Sequence, residues 1–95
     1  MTDHELKAWP NGFEATLRGV KPFQIRRADR DFKVGDILKL REFLPETQTY
    51  TGRYLRARVL YVTEEQEFPG LEPGFVLMGI GSVDGHWGPE VDPGG

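Results

Sequence analysis

Residues 19–36 read GVKPFQIRRADRDFKVGD. Lys21, Arg26, Arg27, Arg30 and Lys33 crowd into this one stretch, although the 95-residue chain carries a net charge of -3. Within it, KPFQIRR (21–27) alternates as a strand does, with Phe23 and Ile25 on one face and Gln24 and Arg26 on the other. The apolar pair is expected to face the core, which sends Gln24 and Arg26 to the opposite face. Lys21 has the parity of Phe23, but Gly19 and Pro22 free it from strict alternation, so it can swing toward Gln24 and Arg26. ADRDFKVGD (28–36) follows as an Asp-rich turn closed by Gly35.

Upstream, HELKAW (4–9) alternates as a first strand. Pro10 suits the first turn of a helix, and NGFEATLRG sets Phe13 and Leu17 on one face before Gly19 stops it. That helix is barely two turns long and is stable only when packed. Downstream, ILKLREF (37–43) reads as a strand and PETQTYTG (45–52) as a polar loop. RYLRARVLYV (53–62) reads as a long strand with Arg53, Arg56 and Arg58 interleaved. FVLMGI (75–80) is a continuous apolar run, expected to be buried on both faces.

Strand, short helix, then about four strands is not the alternation of a parallel doubly wound sheet. The expected fold is mostly β (α+β), a small barrel of about five strands, with one short helix near residues 10–19. Residues 1–81 make a single domain, and 82–95 a tail rich in Gly, Pro and acid.

At this length one core is all the chain can sustain. The balance of 38% hydrophobic and 28% charged residues is that of a globular chain, not a disordered one. Without cysteine there is neither a disulfide nor a thiolate metal site. His4 and His86 are the only histidines; the aspartate, histidine and tryptophan of DGHWG can form a site, but a lone histidine there reads rather as a surface residue. No metal and no cofactor are expected. No apolar run nears the ~20 residues of a membrane span. MTDHELK is too polar and acidic for a signal peptide, so the expected localisation is cytoplasmic and no membrane partner is expected.

All 12 Lys and Arg lie between Lys7 and Arg58, against six acids there, whereas residues 59–95 hold seven acids and no base. One part of the surface can therefore face an anion while the other keeps the protein soluble, unless folding mixes the two. Phe23, Phe32, Tyr50, Tyr54 and Tyr61 run beside the bases. Cations for phosphates and rings for bases are what single-stranded nucleic acid requires. The competing account pairs Arg27 and Arg30 with Asp29, Asp31 or Asp36 and places the rings in the core. Gln24 with Lys21 and Arg26 forms a polar cluster able to read a base edge or to hold a carboxylate or phosphate. No GxSxG elbow occurs, and MGIGSVDG lacks the further glycine and the helix of a dinucleotide loop.

GVKPFQIR (19–26) resembles the GxKxxExR signature of the ASCH domain, a branch of the PUA-like superfamily of small β-barrels. Gly19, Lys21 and Arg26 match, and Gln24 stands where that family usually has Glu. HELKAWPNGFEATLRG resembles the family's first strand and helix, DRDFKVGDILKLREF its turn and next strand, and YTGRYLRARVLYV and GFVLMGI its later strands. The closest likeness is to small uncharacterised ASCH-like proteins of bacteria and phages, and it extends to about Ile80.

The resemblance implies a cleft between helix and sheet that binds RNA or a nucleotide-like ligand, lined by Lys21, Gln24 and Arg26. Arg27, Arg30, Tyr50 and Arg53 complete the candidate RNA-contacting set. The resemblance also implies an alternative, since some ASCH-like proteins resemble amidohydrolases that deacetylate N4-acetylcytidine with a Lys, a Thr and a Glu. Lys21 matches that lysine and is the candidate catalytic residue, as base or proton shuttle. Gln24 occupies the threonine position and is no nucleophile, and Glu64 or Glu65 stands nearest to the third role. The remaining alternative is a module that only docks on another protein.

Overall fold

The computed structural model describes residues 2–64, 67 and 69–86. Five strands and one helix follow in the order β1 (Asp3–Ala8), α1 (Pro10–Leu17), β2 (Phe23–Arg27), β3 (Ile37–Leu44), β4 (Thr49–Glu64) and β5 (Phe75–His86). They form one mixed sheet with strand order β1-β3-β4-β5-β2, curled into a half-barrel. The mostly β architecture with one short helix is thus the one expected from the sequence.

β3, β4 and β5 are an antiparallel meander. β1 adds to one side of it in parallel with β3, in the register Leu6↔Leu40. β2 adds to the other side, antiparallel to β5, in the register Gln24↔Met78. β1 and β2, close in sequence, therefore end up as the two edges of the sheet. The curl brings them face to face across an open seam lined from both sides, by Leu6, Lys7 and Ala8 on one and by Gln24, Arg26 and Arg27 on the other.

The concave face holds the core. Leu38, Leu40, Leu55, Ala57 and Val59 alternate inward along β3 and β4, and Val76, Met78 and Ile80 along β5. Phe13 and Thr16 of α1 are buried on top, with Leu17 packed against the cluster. FVLMGI is accordingly buried on one face only, because Phe75, Leu77 and Gly79 lie on the convex side and are half-buried.

Two segments exceed their expected extents. The polar loop at 45–52 is a tight turn at 45–48, and β4 already begins at Thr49. Gln48 takes φ 58° there and its N–H bonds the Leu44 carbonyl at 2.8 Å. β5 continues to His86, into residues that composition assigned to a tail. Gly85 makes this extension useful, since a Cβ there would collide with Leu17 Cδ1. The bare backbone lets the helix settle on the end of β5. Residues 87–95 lie outside the described residues.

β2 reverses the expectation. Gln24 is 3% exposed, while Phe23 is 40% and Ile25 50% exposed. The alternation was correct and the choice of inner face was not. Phe23 and Tyr61 flank Gly79 on the convex side, with Ile25 beside Leu77 in the next row. The physical reason is the seam. Near an open edge the inside of the sheet is a polar cleft, and a hydrogen-bonded amide is accommodated there as a phenyl ring is on the outside.

The connection from β2 to β3 crosses from one edge of the sheet to the strand next to the other edge. His4 Nε2 lies 2.8 Å from Asp36 Oδ2, and the same carboxylate accepts the N–H groups of Thr2 and Lys33, both at 3.0 Å. Phe32 is buried with its ring 4.7 Å from that of His4. No described helix is long and apolar enough to cross a membrane.

Candidate functional site

A cleft of about 380 Å³ opens at the seam, between the end of β1, the first turn of α1 and the inner face of β2. Local structure explains how each group reaches it. Helix α1 ends on Arg18, and Gly19 then takes φ 80°, the left-handed conformation that glycine adopts at no steric cost. The N–H of Gly19 bonds the Thr16 carbonyl at 3.1 Å and that of Val20 the Ala15 carbonyl at 3.0 Å, a Schellman closure. The N–H of Lys21 returns to the same Ala15 carbonyl, which folds Lys21 back along the helix. Its ammonium comes to rest beside Gly12, where an added Cβ would sit 3.6 Å from Nζ.

On the floor of the cleft a chain of hydrogen bonds crosses from helix to strand. Thr16 Oγ1 donates to the Gly12 carbonyl at 2.8 Å. The same oxygen accepts from Gln24 Nε2 at 3.2 Å, and Gln24 Oε1 accepts from Arg26 Nη2 at 3.0 Å. Gln24 is thus oriented through both ends of its amide, and it holds Arg26 in place. Burial, and then the charge of Arg30, push the Arg26 guanidinium below its ordinary pKa. Because a guanidinium does not deprotonate in a protein, that pressure is an unrelieved cost of keeping the charge there.

Lys7 and Lys21 line the cleft with Arg26, and no carboxylate does. Among the described residues Lys7, Lys21 and Arg26 make no ion pair. The N-terminal turn of α1 adds to the positive potential: no side chain caps it, and its backbone lines the same cleft.

Lys21, Gln24 and Arg26 therefore share one cleft although β2 is turned over. The other candidates scatter. Arg27 lies on the convex side with its guanidinium 5.3 Å from the Phe75 ring centre, yet it also borders a narrower groove with Leu6, Arg26, Asp29 and Arg30. Arg30, 3.4 Å from Asp29, lines that groove and a further one running to Tyr50 past Glu5 and Lys7. Tyr50 packs edge-on to Phe43 and lies under the Arg41 guanidinium at 3.8 Å. Arg53 is engaged elsewhere: it bonds Glu14 at 2.6 Å, lies 3.3 Å from Glu42 and covers the Phe13 ring at 4.9 Å. Its work is to fasten α1 to the sheet.

Lys7, Trp9, Asn11 and Thr16 were not read as site residues, because nothing in a short strand and a helix start shows which groups border a seam. For the amidohydrolase alternative, Thr16 is fully buried and its hydroxyl is spent on Gly12. Glu64 is exposed at the end of β4, in the row of Val76 and Arg26 but one strand beyond β5, and does not line the cleft. Glu65 lies outside the described residues. Among those described, no group of three or more His, Asp or Glu is arranged to hold a metal.

Gln24→Ala is expected to cost about 2 kcal/mol, since it leaves Thr16 and Arg26 short of a buried partner. Phe23→Ala is expected to cost about 1 kcal/mol or less, as a half-exposed ring on a convex face. Thermal melts of the two variants compare them directly, and the opposite ranking overturns this account of β2.

Over 61 residues the chain is 36% identical to an uncharacterised 12.9 kDa protein in the GpA 3′ region of Escherichia phage P2. The match covers 64% of this chain and 54% of the phage protein, so the chain spans about half the length of that relative. Residues 3–80 match the model of a domain of unknown function, DUF3850, and take in β1 to β4, the first half of β5 and the whole cleft. On that match the chain belongs to the DUF3850 family.

Proposed function

We propose that this domain binds RNA or a nucleotide, with the phosphate held by Lys7, Lys21 and Arg26 in the seam cleft. The observation that carries the reading is Arg26: a half-buried guanidinium that lines a cleft without carboxylates and is held by a neutral amide. A glutamate at position 24, as in the ASCH signature, would neutralise Arg26 from within. Glutamine orients it and leaves its charge for a ligand. The GVKPFQIR segment and the half-barrel support reading the family as an ASCH-like branch of the PUA-like superfamily.

Fluorescence anisotropy with a short single-stranded RNA tests the proposal. With one phosphate held by the three cations, affinity falls about two- to threefold between about 50 and about 200 mM salt. Lys21→Ala combined with Arg26→Ala reduces binding to background while the fold, followed by circular dichroism, persists. An absence of binding at low salt to RNA and to every nucleotide overturns the reading.

A further inference from the structure

We propose that Trp9 is a stacking platform for a single nucleobase, so that the cleft takes a nucleotide unit and not a bare anion. The inference rests on the reading of the cleft as an anion site and adds the part of the ligand that carries no charge. Trp9 lines the cleft and is 65% exposed. Among the described residues its ring touches no other ring and no cation, and its indole N–H has no partner. An indole that serves packing is covered, and this one is not.

The position of Trp9 in the chain argues in the same direction. It is the N-cap residue of α1, where Ser, Thr, Asp or Asn would bond the free N–H groups of the first turn. Tryptophan supplies no such bond. A local rule is broken there with no structural return, and such breaks concentrate at functional sites.

Pro10 makes the platform rigid. The residue before a proline is confined to extended backbone, and Trp9 has φ -68° and ψ 155°. Buried Ala8 anchors it from the other side. A flat apolar surface is thereby held beside Lys7, with Asn11 next along the lining. The Asn11 amide both donates and accepts, as a base edge requires. Tyr50 is no equivalent, because the Arg41 guanidinium already covers it.

The test uses a Trp87→Phe background, so that the fluorescence of Trp9 is read alone. The probes are adenosine and cytidine monophosphates, ribose 5-phosphate, and a hexanucleotide RNA. The monophosphates are expected to quench Trp9 and to bind about tenfold or more tighter than ribose 5-phosphate, which has the same phosphate and sugar without the base. Calorimetry on Trp9→Ala is expected to show monophosphate affinity lowered to that of ribose 5-phosphate, with the latter unchanged, and Trp9→Phe is expected to restore part of the difference. A hexanucleotide that binds more tightly than the monophosphates assigns the base to a strand, and equal affinities assign it to a free nucleotide. Equal binding of monophosphates and ribose 5-phosphate with no quenching overturns the platform and leaves the anion site standing. No binding by any probe overturns both.

Discussion

Phe13→Ala is expected to remove about 3–5 kcal/mol of stability, the range of a phenyl-to-methyl truncation in a core. Phe13 is fully buried, packs with Leu38, Leu40 and Leu55, and carries the Arg53 guanidinium on its ring. Helix α1 depends on it more than a longer helix would. The helix has eight residues, no capping side chain, no acid in its first turn and no base in its last. Little but tertiary packing keeps so short a segment helical. A small domain has only about 5–15 kcal/mol in all, so the variant sits near the edge of folding at 25 °C. Urea titration followed by far-ultraviolet dichroism measures the loss. A cost below about 1 kcal/mol would falsify the view that Phe13 anchors the helix.

Asp36→Ala is expected to cost about 3 kcal/mol near neutral pH, because it strips His4 and the N–H groups of Thr2 and Lys33 of one shared acceptor. The loss also carries a pH signature. Burial alone would raise the Asp36 pKa. The hydrogen bonds from His4, Thr2 and Lys33, with the charge of His4, outweigh it and hold the carboxyl below its ordinary value. A group with a depressed folded pKa stabilises the fold fully above its unfolded value, about 3.9, and loses that contribution as pH falls through the folded one. The stability gap between native protein and variant should therefore be widest above about pH 5 and shrink on acidification. Urea midpoints at pH 7 and pH 3 compare the two, and an unchanged gap assigns the cost to packing alone.

What the sequence disclosed, and what it hid, follows from the seam. Period-2 alternation along β4 and the β-branched and aromatic content of RYLRARVLYV identify a strand wherever it lies in the sheet. The spacing of Phe13 and Leu17 marks the buried side of α1, and Gly19 does stop it. The GVKPFQIR segment leads to Lys21, Gln24 and Arg26 together because a Schellman turn and two same-face strand positions are local geometry. Alternation says which residues share a face but not which face is inside. At Phe23–Gln24–Ile25 hydropathy gave the wrong answer, because the inside next to an open edge is wet. Lys7 and Trp9 were out of reach for another reason. Their place in the site depends on β1 and β2 meeting across the curl, a contact that no hydrogen-bond ladder makes. Composition likewise hid the end of β5, where Gly85 looks like tail and instead lets Leu17 close on the strand.

The cleft draws its two side walls from the two terminal strands of the sheet, and each of these has a single neighbour. A strand with one neighbour can peel away while the β3–β4–β5 meander stays intact. The backbone amides of β1 and β2 are therefore expected to exchange with solvent through partial openings that lie below global unfolding in free energy. Any ligand that touches Lys7 on one wall and Arg26 on the other opposes both openings at once, by an amount that grows with its concentration over its dissociation constant. The gain in protection of the two edges against deuterium on adding ligand is thus a measure of binding in the cleft, read from the strands expected to open first.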